Sequence, residues 1–324
     1  MSTEPTFSFA TTAEDVATTF RDEIKGKNVL VTGTSLNGIG FETARVIAKY
    51  ANLVIITGYN SERLKLSEEA IKKEIPEANI YPLVLDLSSF ASVRKAAAEI
   101  NTQPEPLHVL INNAASLWVD FKLTEDGLET QLATDHFGPF LFTKLLAPKL
   151  LASGTPTYTP RVVNVSSVAQ AHGAVDFDTL ATPNQAKYSK RGAYLQAKSA
   201  NVLTAIELSK RSKGKINAYS LHPGMIFTNA FQNEEAIAIW QSRGALGPDK
   251  KPNPASAHPW KTIPQGAATT VAAAFDPRLS SQAGAYLDDS TVANHLIAPY
   301  NSDPVNAEKL WNITEKIIGE TFTF

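Results

Sequence analysis

The chain has 324 residues, 43% hydrophobic and 19% charged, which suits a well-filled core and argues against disorder. Its formal net charge of −2 offers no basic field to nucleic acid or an anionic membrane, and without cysteine it has no disulfide, thiolate nucleophile or Cys-ligated metal. No apolar run approaches the roughly 18 residues of a membrane span, and MSTEPTFSFATTAED lacks the basic and apolar regions of a secretory signal, so a soluble, cytoplasmic protein is expected.

Thr12–Ile24 carries Val16, Phe20 and Ile24 at helical spacing behind a capping Thr12. This predicts a helical extension over residues 1–25, packed on the core. Residues 29–44, VLVTGTSLNGIGFETA, then read as a strand, a glycine turn and the start of a helix. The N–H groups at such a helix end suit a phosphate. By itself the loop fits either a dinucleotide site or a plain tight turn.

Near-continuous apolar runs follow at Leu53–Thr57, Ile80–Leu85, Leu107–Asn112, Arg161–Val165 and Ile216–Leu221, after a first run at Asn28–Thr32. Between them lie helical patterns at Ile39–Tyr50, Ser61–Glu74, Ser89–Ile100, Gly127–Leu151 and Gly192–Lys210. Continuous apolar strands alternating with helices predict a doubly wound, parallel, Rossmann-type α/β sheet flanked by helices. Residues 1–324 read as one such domain. The rhythm breaks at the apolar helical segment Phe231–Trp240 and the Pro-rich Ala245–Lys261, so residues 228–262 are expected to form a substrate lid. Asp303–Ile318 is a further amphipathic helix.

Several positions support the dinucleotide alternative. Asp86 ends the third strand in LVLDLSS, where its carboxylate can accept from an adenine amino group or cap the next helix, and Leu87 follows it. The fourth strand runs into INNAA, where the small Asn113, Ala114 and Ala115 let backbone approach a flat cofactor. In AYLQAKSANVL, Tyr194 and Lys198 lie four apart and share one helix face. A phenol holds its proton at pH 7, and a neighbouring ammonium favours the phenolate, which suits general acid–base work. VVNVSSVA ends a strand at Ser166 and Ser167, where a hydroxyl can polarise a carbonyl beside the phenol.

With these pieces assembled, the chain resembles the short-chain dehydrogenase/reductase family, and more closely its retinol-dehydrogenase-like branch with fungal homologues. The matching motifs are TGTSLNGIG, DLSS, NNAA, NVSS, YLQAK and HPGMIFT, in family order from residue 32 to 228, with looser similarity almost to the C-terminus. The resemblance implies hydride transfer between a nicotinamide cofactor and a carbonyl or alcohol. It makes Tyr194 the general acid–base, Ser167 the carbonyl orienter ahead of Ser166, and Lys198 the holder of the nicotinamide ribose. Pro223 and Gly224 fall beside the nicotinamide and Thr228 near its carboxamide. Gly33, Gly38, Ile39 and Gly40 become the diphosphate loop, with one residue more than the usual TGxxxGxG, accommodated in Thr34–Asn37.

Two departures stand out. Ala115 replaces a glycine, leaving the position small. Asp135, in TDHFGPFLF, falls on the asparagine that joins the family's water-mediated proton relay, and an ionised carboxylate accepts but cannot donate. It is expected to pair with Lys198, to hold its own proton, or to cap its helix away from the site.

For the cofactor, NAD-preferring relatives carry an acid where the second strand ends, and here Gly58 stands there, with Tyr59 where NADP-binding relatives carry arginine. Ser35, Asn37, Asn60 and Ser61 can donate to a 2′-phosphate and Arg63 can reach it, so NADP(H) is expected over NAD(H). Phe231, Ile237, Ile239, Trp240 and Leu246 suggest an apolar lid and a small hydrophobic ketone, aldehyde or alcohol, such as a retinoid, steroid or polyketide-type metabolite. A homodimer is compatible with the sequence, and no nucleic acid partner is expected. The rival readings are an NADP-binding sensor that has lost turnover, supported by Asp135 alone, and an epimerase or dehydratase using the same Tyr–Lys pair.

Overall fold

The computed structural model describes residues 4–228, 234–257 and 259–324. Its strands are β1 (Asn28–Val31), β2 (Leu53–Gly58), β3 (Ile80–Val84), β4 (Val109–Asn112), β5 (Arg161–Val165), β6 (Asn217–Leu221), β7 (Met225–Ile226), β8 (Trp260–Lys261), β9 (Tyr286–Asp288) and β10 (Thr291–Val292). Eight of them form one sheet in the order β10-β9-β6-β5-β4-β1-β2-β3, and β7 and β8 form a separate ribbon. Every neighbour in the large sheet is parallel except β9 and β10. The chain starts in the middle, winds outward through β2 and β3, then returns to β4 on the other side of β1. That reversal opens a crevice beyond the carboxyl ends of β1 and β4, the general ligand position in doubly wound sheets.

Alternation along the strands divides the interior. Val29 and Val31 enter a core under the helices Ala13–Thr19, Ile39–Ala48 and Ile263–Phe275. Leu30 enters the opposite core, under Phe90–Thr102, Gly138–Ala152 and Lys190–Ser212. The C-terminal helix Pro304–Ile318 closes this second side through Trp311, which meets Phe140 edge-on at 4.6 Å and stacks on Phe322 at 5.1 Å. Among the described residues no helix is long and apolar enough to cross a membrane.

Two expectations need correction, and one feature was not foreseen. The N-terminal segment packs as foreseen, with Val16, Phe20 and Ile24 buried, but it is two helices, Ala13–Thr19 and Arg21–Ile24, because Phe20 leaves the helical region at φ −105° and ψ 26°. The helix expected over Gly127–Leu151 starts at Thr130, carries a π-helical turn at Ala133–Phe137 and resumes as Gly138–Ala152. Pro139 has no N–H to close the next α-helical bond, and Gly138 donates to Ala133, five residues back. Gly138 also packs so tightly on Leu87 that a Cβ there would overlap the Leu87 carbonyl oxygen. Finally, β9 and β10 extend the sheet beyond β6, although the run YLDDSTV is too short and polar to predict them.

Candidate active site

The glycine loop is built against the end of β4. Gly33 takes φ +71°, and a side chain there would come within 2.7 Å of the Ala114 Cα. A Cβ on Gly40 would overlap the Asn113 amide and the Gly33 carbonyl. The loop backbone thus lies directly on the Asn113–Ala114 backbone, and the helix beginning at Ile39 points its free N–H groups past them. Asn113 fastens this junction by donating from Nδ2 to the carbonyls of Thr32 (2.8 Å) and Gly33 (3.1 Å). Thr32, which sequence reasoning missed, accepts the N–H groups of Asn113 and Ala114 on one hydroxyl, both at 3.0 Å. In the lengthened part of the loop Thr34 is buried and donates to Thr57, while Asn37 takes a left-handed φ of 60° on the surface.

The helix Lys190–Ser212, capped by the Ser189 hydroxyl on the Gly192 N–H, carries Tyr194 and Lys198 on one face. The Lys198 ammonium is 5.4 Å from the Tyr194 ring centre. Its side chain is only 3% exposed, and Nζ donates to the Val165 carbonyl at 3.3 Å. The two serines after β5 divide their tasks. The buried Ser166 donates to the Lys198 carbonyl at 2.6 Å, tying helix to strand, and the half-buried Ser167 accepts the Ala169 N–H at 3.1 Å with its hydroxyl at the cavity wall.

Asp135 projects from the π-helical turn into this group. Its Oδ1 accepts the Ser116 N–H at 2.7 Å, and Oδ2 lies 3.5 Å from the Lys198 ammonium with no hydrogen bond closed on it. Of the three expectations, pairing with Lys198 therefore describes the geometry. Complete burial pushes the Asp135 carboxyl up to about 6, opposed by Lys198 and the Ser116 hydrogen bonds.

A cavity of about 730 Å³ joins these parts. Ile39, Asn113, Ala115, Ser167, Tyr194, Lys198, Pro223, Gly224 and Thr228 all line it. Of the expected lid residues, Trp240 lines it as well and stacks on Trp118 with ring centres 6.2 Å apart, whereas Ile237 and Leu246 are buried and do not line it. Ile239 is half-buried, and Phe231 lies outside the described residues. Trp118 was not foreseen. Its backbone has φ 54°, rare for a bulky residue, and its N–H is held by the Gln131 amide oxygen at 3.0 Å.

At the far end of the crevice Ser35, Gly58, Tyr59, Asn60 and Arg63 share a second, small pocket. Asn60 caps the next helix by accepting the Arg63 N–H at 2.9 Å, and Tyr59 is 68% exposed. Arg63 is exposed and forms no ion pair among the described residues. Asp86 accepts the N–H (2.9 Å) and hydroxyl (2.6 Å) of Ser88 on one oxygen, closing the turn after β3, while the next helix is capped by Ser89, which accepts the Ser92 N–H at 3.3 Å. Leu87 is a core side chain and does not line the cavity.

The fit to a dinucleotide rests on the cradle itself: two glycines whose Cβ atoms would overlap the neighbouring chain, a helix start with no side-chain cap, and a cavity running from Ile39 at that helix start to Tyr194. Comparison with known proteins agrees. A profile of the short chain dehydrogenase family matches residues 27–237. The chain is 36% identical over 320 residues to short-chain dehydrogenase TIC 32 B, chloroplastic, of Brassica napus, covering 96% of this chain and 94% of the relative. It is 31% identical over 299 residues to human retinol dehydrogenase 12, covering 92% and 88%. Among solved structures, an uncharacterized protein from Mycobacterium paratuberculosis superposes with a TM-score of 0.69 at 26% identity, covering 93% and 96% of the two chains.

Proposed function

We propose, from the premise that this chain belongs to the short-chain dehydrogenase family, that it interconverts a hydrophobic ketone or aldehyde and its alcohol with NADP(H). The observation that carries this is the buried Lys198 ammonium beside the Tyr194 ring, in one cavity with Ser167, Asn113 and Ile39 at the start of the helix after the glycine loop. The bound nicotinamide supplies the hydride donor or acceptor. In reduction, the Ser167 hydroxyl donates to the carbonyl oxygen and orients it, and the Tyr194 phenol delivers the proton that this oxygen gains. Lys198 favours the phenolate that remains and holds the ribose hydroxyls. Asn113, Ala114 and Ala115 would give one wall of the nicotinamide site, Pro223 and Gly224 the other, and the Thr228 side chain would face the carboxamide. Trp118 and Trp240 keep water from the reacting end and favour an apolar, flat substrate.

The preference for NADP(H) is supported by the second pocket. No acid stands at the end of β2, and Ser35, Asn60 and Arg63, which forms no ion pair among the described residues, gather with Gly58 and Tyr59 around a pocket that would take a 2′-phosphate. NADPH is expected to bind more tightly than NADH, and Gly58→Asp to reverse the order by repelling the 2′-phosphate. Fluorescence titration of both cofactors checks this, and tighter NADH binding by the parent overturns the assignment.

Tyr194→Phe deletes the transferable proton and little volume. Cofactor affinity is expected to persist while ketone turnover falls by roughly 10²–10⁴. Parental turnover in this variant would contradict the mechanism.

Asp135 gives the site its own pH dependence. Once ionised, it offsets the field that Lys198 lends to Tyr194, so Asp135→Asn is expected to move the alcohol-oxidation profile to lower pH by a fraction of a unit to about one unit. Because the Asp135 carboxyl is held near 6, the two profiles should diverge above that pH and approach each other below it. Superimposable profiles would make Asp135 structural, and a large gain of activity from a nearly inactive parent would favour the sensor alternative.

A further inference from the structure

Lys261 is the anomaly left over by this site. It ends β8 at the point where the lid segment rejoins the body, yet its side chain is 2% exposed and it lines the same cavity as Tyr194. Its ammonium forms an ion pair with Asp289 and lies 5.0 Å from the Phe9 ring centre, under the N-terminal extension. The ammonium is the buried partner, for the Asp289 side chain is 39% exposed, and taking a charge out of water in a cavity wall costs free energy that one half-exposed carboxylate only partly offsets, so its presence there asks for another reason.

The geometry around the stem supplies one. Gly224 takes φ +98°, and a side chain on it would stand 2.6 Å from the Lys261 Cδ, so the methylenes of Lys261 rest directly on the Pro223–Gly224 turn. The residues after that turn, β7, pair in register with β8, Ile226 opposite Lys261. Asp289 is equally constrained. With Ser290 it forms the β9–β10 turn, both residues left-handed at φ 47° and 63°. Their amides are taken by Asp288 Oδ1 at 2.9 Å and by Thr269 Oγ1 at 3.0 Å. Thr269 belongs to the helix Ile263–Phe275, which begins directly after Lys261 and its capping Thr262. Both charged partners are thus anchored to one rigid helix, and the lysine stem is pressed onto the turn between them. His222, just before the turn, does not compete with the ammonium for Asp289: burial first, then Lys261, pushes it down to about 4 and keeps it neutral.

We propose that Lys261 and Asp289 are a positioning pair that clamps the Pro223–Gly224 turn as the floor under the nicotinamide. The proposal rests on the cofactor assignment above. Both residues reach the cavity wall, and the role assigned to the pair is exerted through the turn: it sets the height and tilt of the surface against which the ring would lie.

The test is a double-mutant cycle on the full chain with Lys261→Met, which keeps the stem length and removes the charge, and Asp289→Asn, which keeps the shape. NADPH affinity is titrated by fluorescence well below each variant's melting temperature, and kcat is read at saturating NADPH. The clamp predicts that each single variant binds NADPH roughly tenfold more weakly, that kcat falls as well, and that the double variant is no worse than either single one. A pair with only a structural role would lower the melting temperature and leave affinity and kcat at the parental values, which overturns the proposal. Additive losses, or a loss confined to Lys261→Met, would mean that the lysine acts without Asp289 and would overturn it too. A parent that binds neither NADPH nor NADH would bring down the cofactor assignment and the clamp together, so the two failures are told apart by the parent alone.

Discussion

Everything in the cleft follows from the burial of one ammonium group. Lys198 is almost wholly removed from water, and a charge so placed is tolerated only with partners of suitable geometry. Those partners come from three parts of the chain: the Val165 carbonyl at the end of β5, the Asp135 carboxylate from the π-helical turn, and the flank of the Tyr194 ring one helical turn away. The Ser166 hydroxyl on the Lys198 carbonyl, together with Asn201 donating to the same Val165 carbonyl at 3.3 Å, pins helix to strand so that these distances hold.

The same constraint accounts for the irregular turn at Ala133–Phe137. A regular helix through Gly138 would need an amide that Pro139 lacks, and the wider turn carries Asp135 toward Lys198 while Gly138 sits against the Leu87 carbonyl. On the other side of the crevice, closeness is achieved by deletion rather than by charge. Gly33 and Gly40 have no Cβ where the end of β4 must pass, and the Thr32 hydroxyl satisfies the two amides exposed by that close approach.

Much of this was legible in the sequence. The six central strands, the glycine turn, the shared face of Tyr194 and Lys198 and the two serines after β5 all follow from local periodicity and spacing. What escaped depends on contacts between distant segments or on broken local rules. Asn113 reads from the sequence as a cofactor contact, and the fold gives its amide a structural task besides, holding the glycine loop through Thr32 and Gly33, a partnership that no spacing reveals. Trp118 adopts a backbone conformation that sequence argues against, and the π-helical turn violates the hydrogen-bond pattern on which helical periodicity rests. The apolar segment after β7 was half legible: Trp240 lines the cavity, while Ile237 and Leu246 are buried and do not line it. For Asp135, chain position left three roles open, and only the fold joined it to Lys198.

The central claim is that Asp135 is a desolvated carboxyl facing the buried Lys198. Carbon-13 detected NMR titration of the aspartate side-chain carboxyls in the unliganded protein tests it directly, with Asp135→Asn to assign the resonance. The account predicts one carboxyl titrating near 6 that disappears in the variant. An Asp135 resonance titrating at or below the ordinary aspartate value of about 3.9 would mean a solvated or fully compensated carboxylate, and would contradict it.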